Sequence, residues 1–300
     1  MKKILAWPMA AMIIISLMFI AGCSSDDDDT NGVRIGSLQD EEFQFMNTIM
    51  RSAIMEMDGY TIDMNFALID ELMQPYPPGK LVPGKYLEDI IYFSYGYDTS
   101  NYWHIFACTA AIGNDLDSWN LVGVDSIRFY TDDYVYFPES LPTEVNLRAH
   151  FAIELESGPD AQGDLGHHAL MDLTGIVDLD GDEEPEELVI SGSSSDTLEI
   201  YVSEGDTMSC DFHMTNSQTI SNIVLDTLAM DYDACPASGA INMAATVAMS
   251  CTGTEELDVN GRWSVNFVFG EGGMTAIYES GNTRWTYTED CREPSPKYKK

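Results

Sequence analysis

The sequence has few positively charged residues. Its 14 lysines and arginines stand against 50 aspartates and glutamates, which gives a formal net charge of −36 at pH 7. A surface this acidic repels the phosphates of DNA and RNA, so we exclude nucleic acid as a partner. Because so few carboxylates can be paired, we interpret the acidic residues mainly as a hydrated, solubilising surface and leave capture of divalent cations as the alternative.

The sequence also lacks the common catalytic motifs. It contains no Walker A loop, no GxGxxG motif, no GxSxG nucleophile elbow and no zinc-protease pair of histidines. The absence of a CxxC pair disfavours a zinc ribbon or a thioredoxin-type site. No residue pattern assigns a reaction. We therefore interpret the chain as a non-catalytic binding module and leave a hydrolase acting on envelope glycans or lipids as the alternative.

The N-terminal residues have the pattern of an export signal. Met1–Lys3 is positively charged, and residues 4–20 are mostly apolar. This run ends in Ile20-Ala21-Gly22-Cys23, which resembles the lipobox of bacterial lipoproteins. The resemblance implies removal of residues 1–22, a diacylglycerol thioether on Cys23 and acylation of its new amino group, for instance with palmitate. A permanent anchor helix is the alternative, because the apolar run is nearly long enough to span a bilayer.

The same resemblance predicts the location of the protein. Acylated Cys23 implies the lipid bilayer as a partner and the cell envelope as the compartment. Ser24 directly behind it is typical of lipoproteins that are sorted to the outer membrane. The acidic run Asp26–Asp29 is also compatible with export to the cell surface, so the side of the membrane stays open. Because like charges repel, we expect this run to form part of an extended tether.

Five further cysteines follow Cys23. Export to an oxidising compartment favours disulfides, and an odd number leaves at least one cysteine without a partner in the chain. Cys235 and Cys291 flank the start and the end of the last four expected strands, which predicts a disulfide between them. Cys210 and Cys251 lie on apolar faces and are expected to be core residues.

The periodicity of the apolar residues predicts a mainly β protein with an N-terminal helix. Apolar residues recur at helical spacing over residues 38–57 behind Ser37, the expected N-cap, and a second short helix is expected over residues 64–73. From about residue 88 the period changes to two, with separate strand-like runs that include residues 188–190 and 198–202. Because the connections are short, we predict an antiparallel meander that forms a large curved sheet or a partly open barrel.

These patterns divide the chain into five segments. Hydrophobic residues make up 45% of the sequence, which is enough for a real core. The segments are a signal peptide (1–22), a lipidated acidic tether (23–36), a helical segment packed on the sheet (37–80), an antiparallel β domain (81–292) and a flexible tail (293–300).

A short acidic stretch is the best candidate for a metal site. Residues 178–187 place carboxylates at every second position around Gly181, which is how calcium loops present their ligands. The stretch resembles the loop of integrin-type and dockerin-type calcium repeats, and the resemblance implies Asp178, Asp180, Asp182 and Glu186 as calcium ligands. The stretch departs from those families in two ways: Glu183 stands where they have glycine or another small residue, and the sequence contains no second copy of the loop. The alternatives are an acidic turn between two strands and, if calcium binds, a calcium-dependent surface adhesin.

Aromatic residues are concentrated in one part of the chain. Residues 86–137 contain eight of the 15 tyrosines, together with Trp103 and Trp119. Exposed aromatic rings stack on sugars or anchor protein partners, whereas tyrosines also pack across strands without any ligand. We therefore interpret these aromatic residues mainly as strand packing and leave a glycan or an envelope protein as the possible partner.

The five histidines give no metal motif. His167 and His168 are adjacent, so in a strand they point to opposite faces and do not readily bind one ion together. His104, His150 and His213 are isolated in the sequence.

Overall fold

The computed structural model describes residues 33–51, 91–113, 117–131, 133–135, 143–157, 163–179, 185–204, 208–226, 236–252, 259–270 and 272–290. These residues form one helix, α1 (Glu41–Thr48), and thirteen strands. The strands are β1 (Arg34–Ile35), β2 (Ile91–Asp98), β3 (Trp103–Gly113), β4 (Asp117–Tyr130), β5 (Tyr134–Val135), β6 (Glu144–Ser157), β7 (Gly163–Leu179), β8 (Pro185–Glu204), β9 (Met208–Asp226), β10 (Ser238–Thr252), β11 (Gly261–Gly270), β12 (Gly273–Ser280) and β13 (Thr283–Asp290).

All thirteen strands belong to a single sheet. The strand order is β1-β13-β12-β11-β10-β9-β8-β7-β6-β4-β3-β2, with β5 beside β4. Neighbours are antiparallel except for β1, which runs parallel to β13. Within the described residues the two terminal strands of this order, β1 and β2, do not pair with each other, so the sheet is open. The predicted antiparallel meander is confirmed, and it forms one large sheet that is not closed into a barrel.

In the strands whose apolar residues alternate with a period of two, the residues predicted to face the core are buried. Successive side chains of a strand point to opposite faces, so one apolar face per strand is enough to build a core. We call the buried face of the sheet the inward face and the other the outward face. In β10 and β11 the inward residues are those of the predicted apolar faces: Met243, Ala245, Val247, Met249, Trp263, Val265, Phe267 and Phe269.

Strand β8 differs from the prediction in its length. Residues 188–190 and 198–202 were expected as separate runs, but both belong to the continuous strand Pro185–Glu204. The polar residues between them stay in the strand because β7 and β9 pair with it on both sides. The pairing of β8 with β9 shifts in register between Ile190 and Gly192. Gly192 has a φ of 156°, and a Cβ atom at this position would clash with Asp172 O, so glycine is favoured.

Helix α1 begins after Asp40, so the prediction of Ser37 as the N-cap is wrong. The Ser37 N–H instead donates to Asp40 Oδ2 at 2.9 Å. Within the described part of the predicted helix, the apolar stripe is buried as expected, and Phe45 and Ile49 are buried beside it. The continuation of this helix to residue 57 and the expected second helix at 64–73 lie outside the described residues.

Helix α1 packs across the inward face from β9 to β13. The Phe43 ring centroid lies 5.2 Å from that of Tyr278, and the Phe45 ring centroid lies 5.4 Å from that of Phe212. At the end of the helical segment, Arg51 Nη1 donates to the Tyr287 hydroxyl at 3.1 Å and pairs with Glu289. Helix α1 therefore lies on the sheet, whereas the rest of the helical segment predicted over residues 37–80 lies outside the described residues.

The chain leading into α1 lies against Trp285. The Gly36 N–H donates to Arg284 O at 2.8 Å, next to β1. A Cβ atom on Gly36 would lie 1.9 Å from Trp285 Nε1, so only glycine fits at this contact. Trp285 Nε1 in turn donates to Asp40 Oδ2 at 2.9 Å, which ties β13 to the start of α1.

The described residues contain no helix that is both long and apolar enough to cross a membrane. The predicted signal peptide and the lipidation site Cys23 lie outside the described residues, and both stay predictions.

Replacing Tyr278 by phenylalanine should lower stability at neutral pH and make the fold less sensitive to alkali. The Tyr278 hydroxyl donates to Asn47 Oδ1 at 2.8 Å, and burial raises the pKa of Tyr278 well above its ordinary value of about 10. The unfolded chain therefore loses this proton first. The stabilisation is present below about pH 10 and is lost as the pH rises further. We expect a loss of about 1 kcal/mol at pH 7 and a smaller decline above about pH 10 than in the wild type.

Urea unfolding from neutral to alkaline pH measures this effect. Tyr201→Phe is the control, because Tyr201 is 39% exposed on the outward face. If the Tyr278 variant lost stability with rising pH as steeply as the wild type, the assignment of the alkaline effect to Tyr278 would be wrong.

Candidate functional site

The turn between β2 and β3 holds Tyr102 in an unusual backbone conformation. Asp98 accepts hydrogen bonds from the Ser100 N–H and from Asn101 Nδ2, both at 2.8 Å. These bonds hold the pKa of the Asp98 carboxyl below its usual range, and the bond from the Asn101 side chain has the largest effect. Tyr102 follows with a φ of 62°, a left-handed value that is rare for an aromatic residue, and is 40% exposed. The turn thus places an aromatic ring at the surface.

Arg128 of β4 lies between two aromatic rings next to this turn. Its guanidinium carbon is 4.1 Å from the ring centroid of Tyr134 and 4.5 Å from that of Trp103. The Tyr134 ring also stacks on Tyr102, with centroids 6.2 Å apart and planes at 24°. The exposed ring and the positive charge therefore belong to one continuous stack.

Two further side chains extend this stack. Arg148 of β6 lies 4.8 Å from the Trp103 ring centroid, and Tyr130 meets Tyr134 edge to face at 5.4 Å. We call the six side chains the aromatic–arginine surface: Tyr102, Trp103, Arg128, Tyr130, Tyr134 and Arg148.

Polar contacts from β6 and β7 hold both guanidinium groups in place. Asn146 lies directly opposite Arg128 in the β4–β6 pair, and its Oδ1 accepts from Arg128 Nε at 3.1 Å. Asn146 Nδ2 donates to Glu144 Oε1 at 2.6 Å, which fixes the amide. Arg148 Nε donates to Asp172 Oδ2 at 3.1 Å.

The charge of this surface contrasts with that of the chain. The described residues include six arginines and no lysine, and two of the six arginines meet at Trp103. Among the described residues, Arg128 is bound by an amide and two rings rather than by a carboxylate. Its donors and its charge are therefore suited to a ligand with hydroxyl or carboxylate groups.

The structure divides the tyrosine-rich segment between surface and core. Trp103, Tyr102, Tyr130 and Tyr134 come together as described above, whereas the Tyr95 hydroxyl pairs with His104 Nδ1 at 2.9 Å. Tyr97 also packs against His104, which is fully buried. The residues that sequence reasoning missed are Arg128 and Arg148, although their alternation within β4 and β6 already places each on the polar face of its strand.

The proposed calcium loop lies at the β7–β8 connection. Asp178 pairs with Glu187, and β8 begins at Pro185, so the backbone brings both ends of the loop together. Asp180 and Asp182 lie outside the described residues, and the side chains of Asp178 and Glu186 are not described either. The calcium hypothesis therefore stays a prediction.

The cysteines differ from the expectation in one respect. Cys210 and Cys251 were expected to be separate core residues, but they form a disulfide with their Cα atoms 4.1 Å apart. The register of β9 and β10 places them directly opposite each other, which sequence separation alone does not reveal. Cys235 and Cys291 lie outside the described residues, so their predicted disulfide stays a prediction.

A shallow groove of about 610 Å³ crosses the outward face between β6 and β10. His213 Nδ1 lies 3.2 Å from Glu199 Oε1 within it, and no group of three His, Cys, Asp or Glu residues in the described part of the chain is arranged to hold a metal ion. The predicted opposite orientation of His167 and His168 is confirmed, because His167 is buried and His168 lines this groove. The acidic residues and histidines lining the groove are Glu154, Asp164, His168, Glu199, Asp211 and His213.

No protein-family model, no curated protein and no solved structure matches this chain. The indications of function therefore come from its own residues. The outward groove shares the acidic character of the whole chain, whereas the aromatic–arginine surface departs from it, and we regard the latter as the candidate site.

Proposed function

We propose that the protein is a lipid-anchored, non-catalytic binding module of the cell envelope that binds a glycan at the aromatic–arginine surface. The anchor is the acylated Cys23, and the outer membrane is the expected location. The lipobox resemblance of Ile20–Cys23 supports this part of the proposal. The Cys210–Cys251 disulfide adds weak support for an extracytoplasmic location, because disulfides persist in oxidising compartments.

The observation that carries the binding function is the stack of Tyr102, Tyr134 and Arg128. Aromatic faces provide a flat apolar area for the C–H face of a sugar ring. The guanidinium beside them donates hydrogen bonds to hydroxyl or carboxylate oxygens. Tyr102 is exposed and held in place by the Asp98 turn, so little conformational freedom is lost on binding.

The net charge of −36 narrows the class of glycan. A strongly acidic protein repels a polyanion at long range, although salt screens this repulsion beyond about 8–10 Å. A single carboxylate can still pair with Arg128 at short range. Neutral or sparsely charged glycans are therefore the ligands that fit this surface.

Binding of the full-length acylated protein in detergent micelles to a glycan array tests this proposal. Tyr102→Ala removes the exposed ring of the stack, and Tyr201→Ala is the matched control because it is equally exposed on β8, outside the surface. We expect Tyr102→Ala and Arg128→Ala to weaken glycan binding roughly tenfold, since each removes on the order of 1 kcal/mol or more. Tyr201→Ala should bind like the wild type.

Two results would contradict the proposal. The first is an array on which the wild type retains no glycan, or on which Tyr201→Ala weakens binding as much as Tyr102→Ala. The second concerns the anchor: mass spectrometry of the purified protein should show a mature terminus at Cys23 with acyl chains, and an intact Met1 would refute the lipoprotein assignment.

A further inference from the structure

A polar cluster lies buried in the centre of the inward face. It comprises one residue of β7 and two residues each of β8 and β9, and none of them is more than 6% exposed. The surroundings are apolar, and the Phe151 ring meets the His167 ring edge to face at 5.4 Å. Burial of polar side chains among apolar ones is costly unless they find partners. The members are His167, Ser194, Asp196, Asn216 and Gln218.

Internal hydrogen bonds satisfy only part of this cluster. Asp196 Oδ2 accepts from Gln218 Nε2 at 2.9 Å and from Ser194 Oγ at 3.5 Å. Five other buried atoms have no hydrogen-bond partner among the residues that the structure describes: Asp196 Oδ1, both ring nitrogens of His167 and both amide atoms of Asn216. The unpaired atoms belong to three side chains on three adjacent strands, all of them pointing to the inward face.

The distance between two of these atoms matches a shared metal ion. His167 Nε2 lies 3.5 Å from Asp196 Oδ1, which is longer than a normal hydrogen bond between nitrogen and oxygen. Two ligands of a tetrahedral zinc ion with bonds of about 2.0–2.2 Å are roughly 3.3–3.6 Å apart. Asn216 lies directly opposite Asp196 in the β8–β9 pair. Its amide therefore lies beside the space between His167 Nε2 and Asp196 Oδ1, as a third possible ligand.

We propose that His167, Asp196 and Asn216 bind a divalent transition-metal ion, with zinc as the best match for this donor set. Imidazole nitrogen and carboxylate oxygen are ordinary zinc ligands. The Asn216 amide oxygen is the third ligand, in place of the third His, Cys, Asp or Glu that the described residues do not supply. The ion compensates the buried Asp196 charge, while Gln218 and Ser194 orient that carboxylate as a second layer of contacts. This site is independent of the aromatic–arginine surface.

The metal content and the melting temperature of the full-length protein test this proposal. The protein is purified without a polyhistidine tag, its metals are measured by mass spectrometry, and a chelator-stripped sample is melted with and without ZnCl2. We expect about one zinc per chain and a rise in melting temperature of roughly 5 °C or more at saturation. His167→Ala should lose both effects. His168→Ala is the matched control, because His168 is the next residue and lies on the outward face, and it should keep both.

A second variant separates metal binding from a purely packing role, even if His167→Ala fails to fold. Asn216→Asp supplies a stronger ligand, so it should bind zinc at least tenfold more tightly than the wild type. Without metal it should melt below the wild type, because a second carboxylate then lies beside Asp196. A wild type that retains no zinc and melts identically with ZnCl2 would overturn the proposal. A His168→Ala variant that loses the zinc effect, or an Asn216→Asp variant that zinc does not stabilise, would do the same.

Discussion

Replacing Trp285 by alanine should lower the free energy of unfolding by about 3–5 kcal/mol, the range for removing a large aromatic side chain from a core. Trp285 is 1% exposed, and its ring stacks on Trp263 with centroids 5.3 Å apart. It also stacks on Phe43 of α1 at 6.4 Å and donates from Nε1 to Asp40. One side chain therefore connects β11, β13 and the helix. Urea unfolding followed by far-ultraviolet circular dichroism measures the loss.

Two further variants serve to interpret the stability loss of Trp285→Ala. Val268→Ala in β11 is the control, since Val268 is 44% exposed and its truncation should change stability by less than about 0.5 kcal/mol. Trp285→Phe keeps an aromatic ring but removes the donor to Asp40, and it should lose less than the alanine variant. A loss for Trp285→Ala no larger than that for Val268→Ala would refute the position of this residue at the junction of sheet and helix.

Removing the Cys210–Cys251 disulfide should cost about 2–4 kcal/mol of stability. The two cysteines are 41 residues apart in the sequence, and their link closes the β9–β10 hairpin across a directly opposed pair. The link restricts the unfolded chain, which is the main source of such stabilisation in the chain-entropy description. Ser209 Oγ and Thr252 Oγ1, 2.8 Å apart beside it, should keep the strand ends paired in the native state after the link is lost. Urea unfolding of the double variant Cys210→Ser/Cys251→Ser measures the cost.

A peptide map under non-reducing conditions provides the control for this experiment. It should contain a Cys210–Cys251 peptide in the wild type that is absent from the double variant. The same map tests the predicted Cys235–Cys291 link, because a disulfide-linked Cys235–Cys291 peptide should be present in both the wild type and the double variant. A wild type in which Cys210 and Cys251 are found as free thiols would contradict the first link, and a free Cys291 would contradict the second.

Local patterns were sufficient to predict most strands of this protein. The side chains of β10 and β11 alternate with a period of two, and the residues expected on the apolar face are the ones that are buried. This works because the period of a strand is set by its backbone and needs no information from distant residues. The same approach failed at the ends of elements. Ser37 was a plausible helix cap, but Asp40 takes this position while its carboxylate also accepts from Trp285, which is 245 residues away along the chain.

The candidate sites depended much more on pairing between distant strands. Trp103 and Tyr134 were noticed as part of a tyrosine-rich segment, but Arg148 joins them only because β6 pairs with β4. His167 and Asp196 lie 29 positions apart and approach each other only through the register of β7 and β8. Sequence reasoning considered His167 only together with its neighbour His168 and therefore found no partner for it on the same face of the sheet.

The amino-acid sequence alone determined the acidic character of the protein and its antiparallel β architecture, because charge and period are properties of neighbouring residues. The lipid anchor at Cys23, which rests on a four-residue motif, stays a prediction. Only the tertiary structure decided which side chains meet: Arg128 between Trp103 and Tyr134, Cys210 with Cys251, and the buried cluster around Asp196. The physical reason is strand register, since a shift of one strand by one residue would turn its side chains to the opposite face of the sheet, away from their partners.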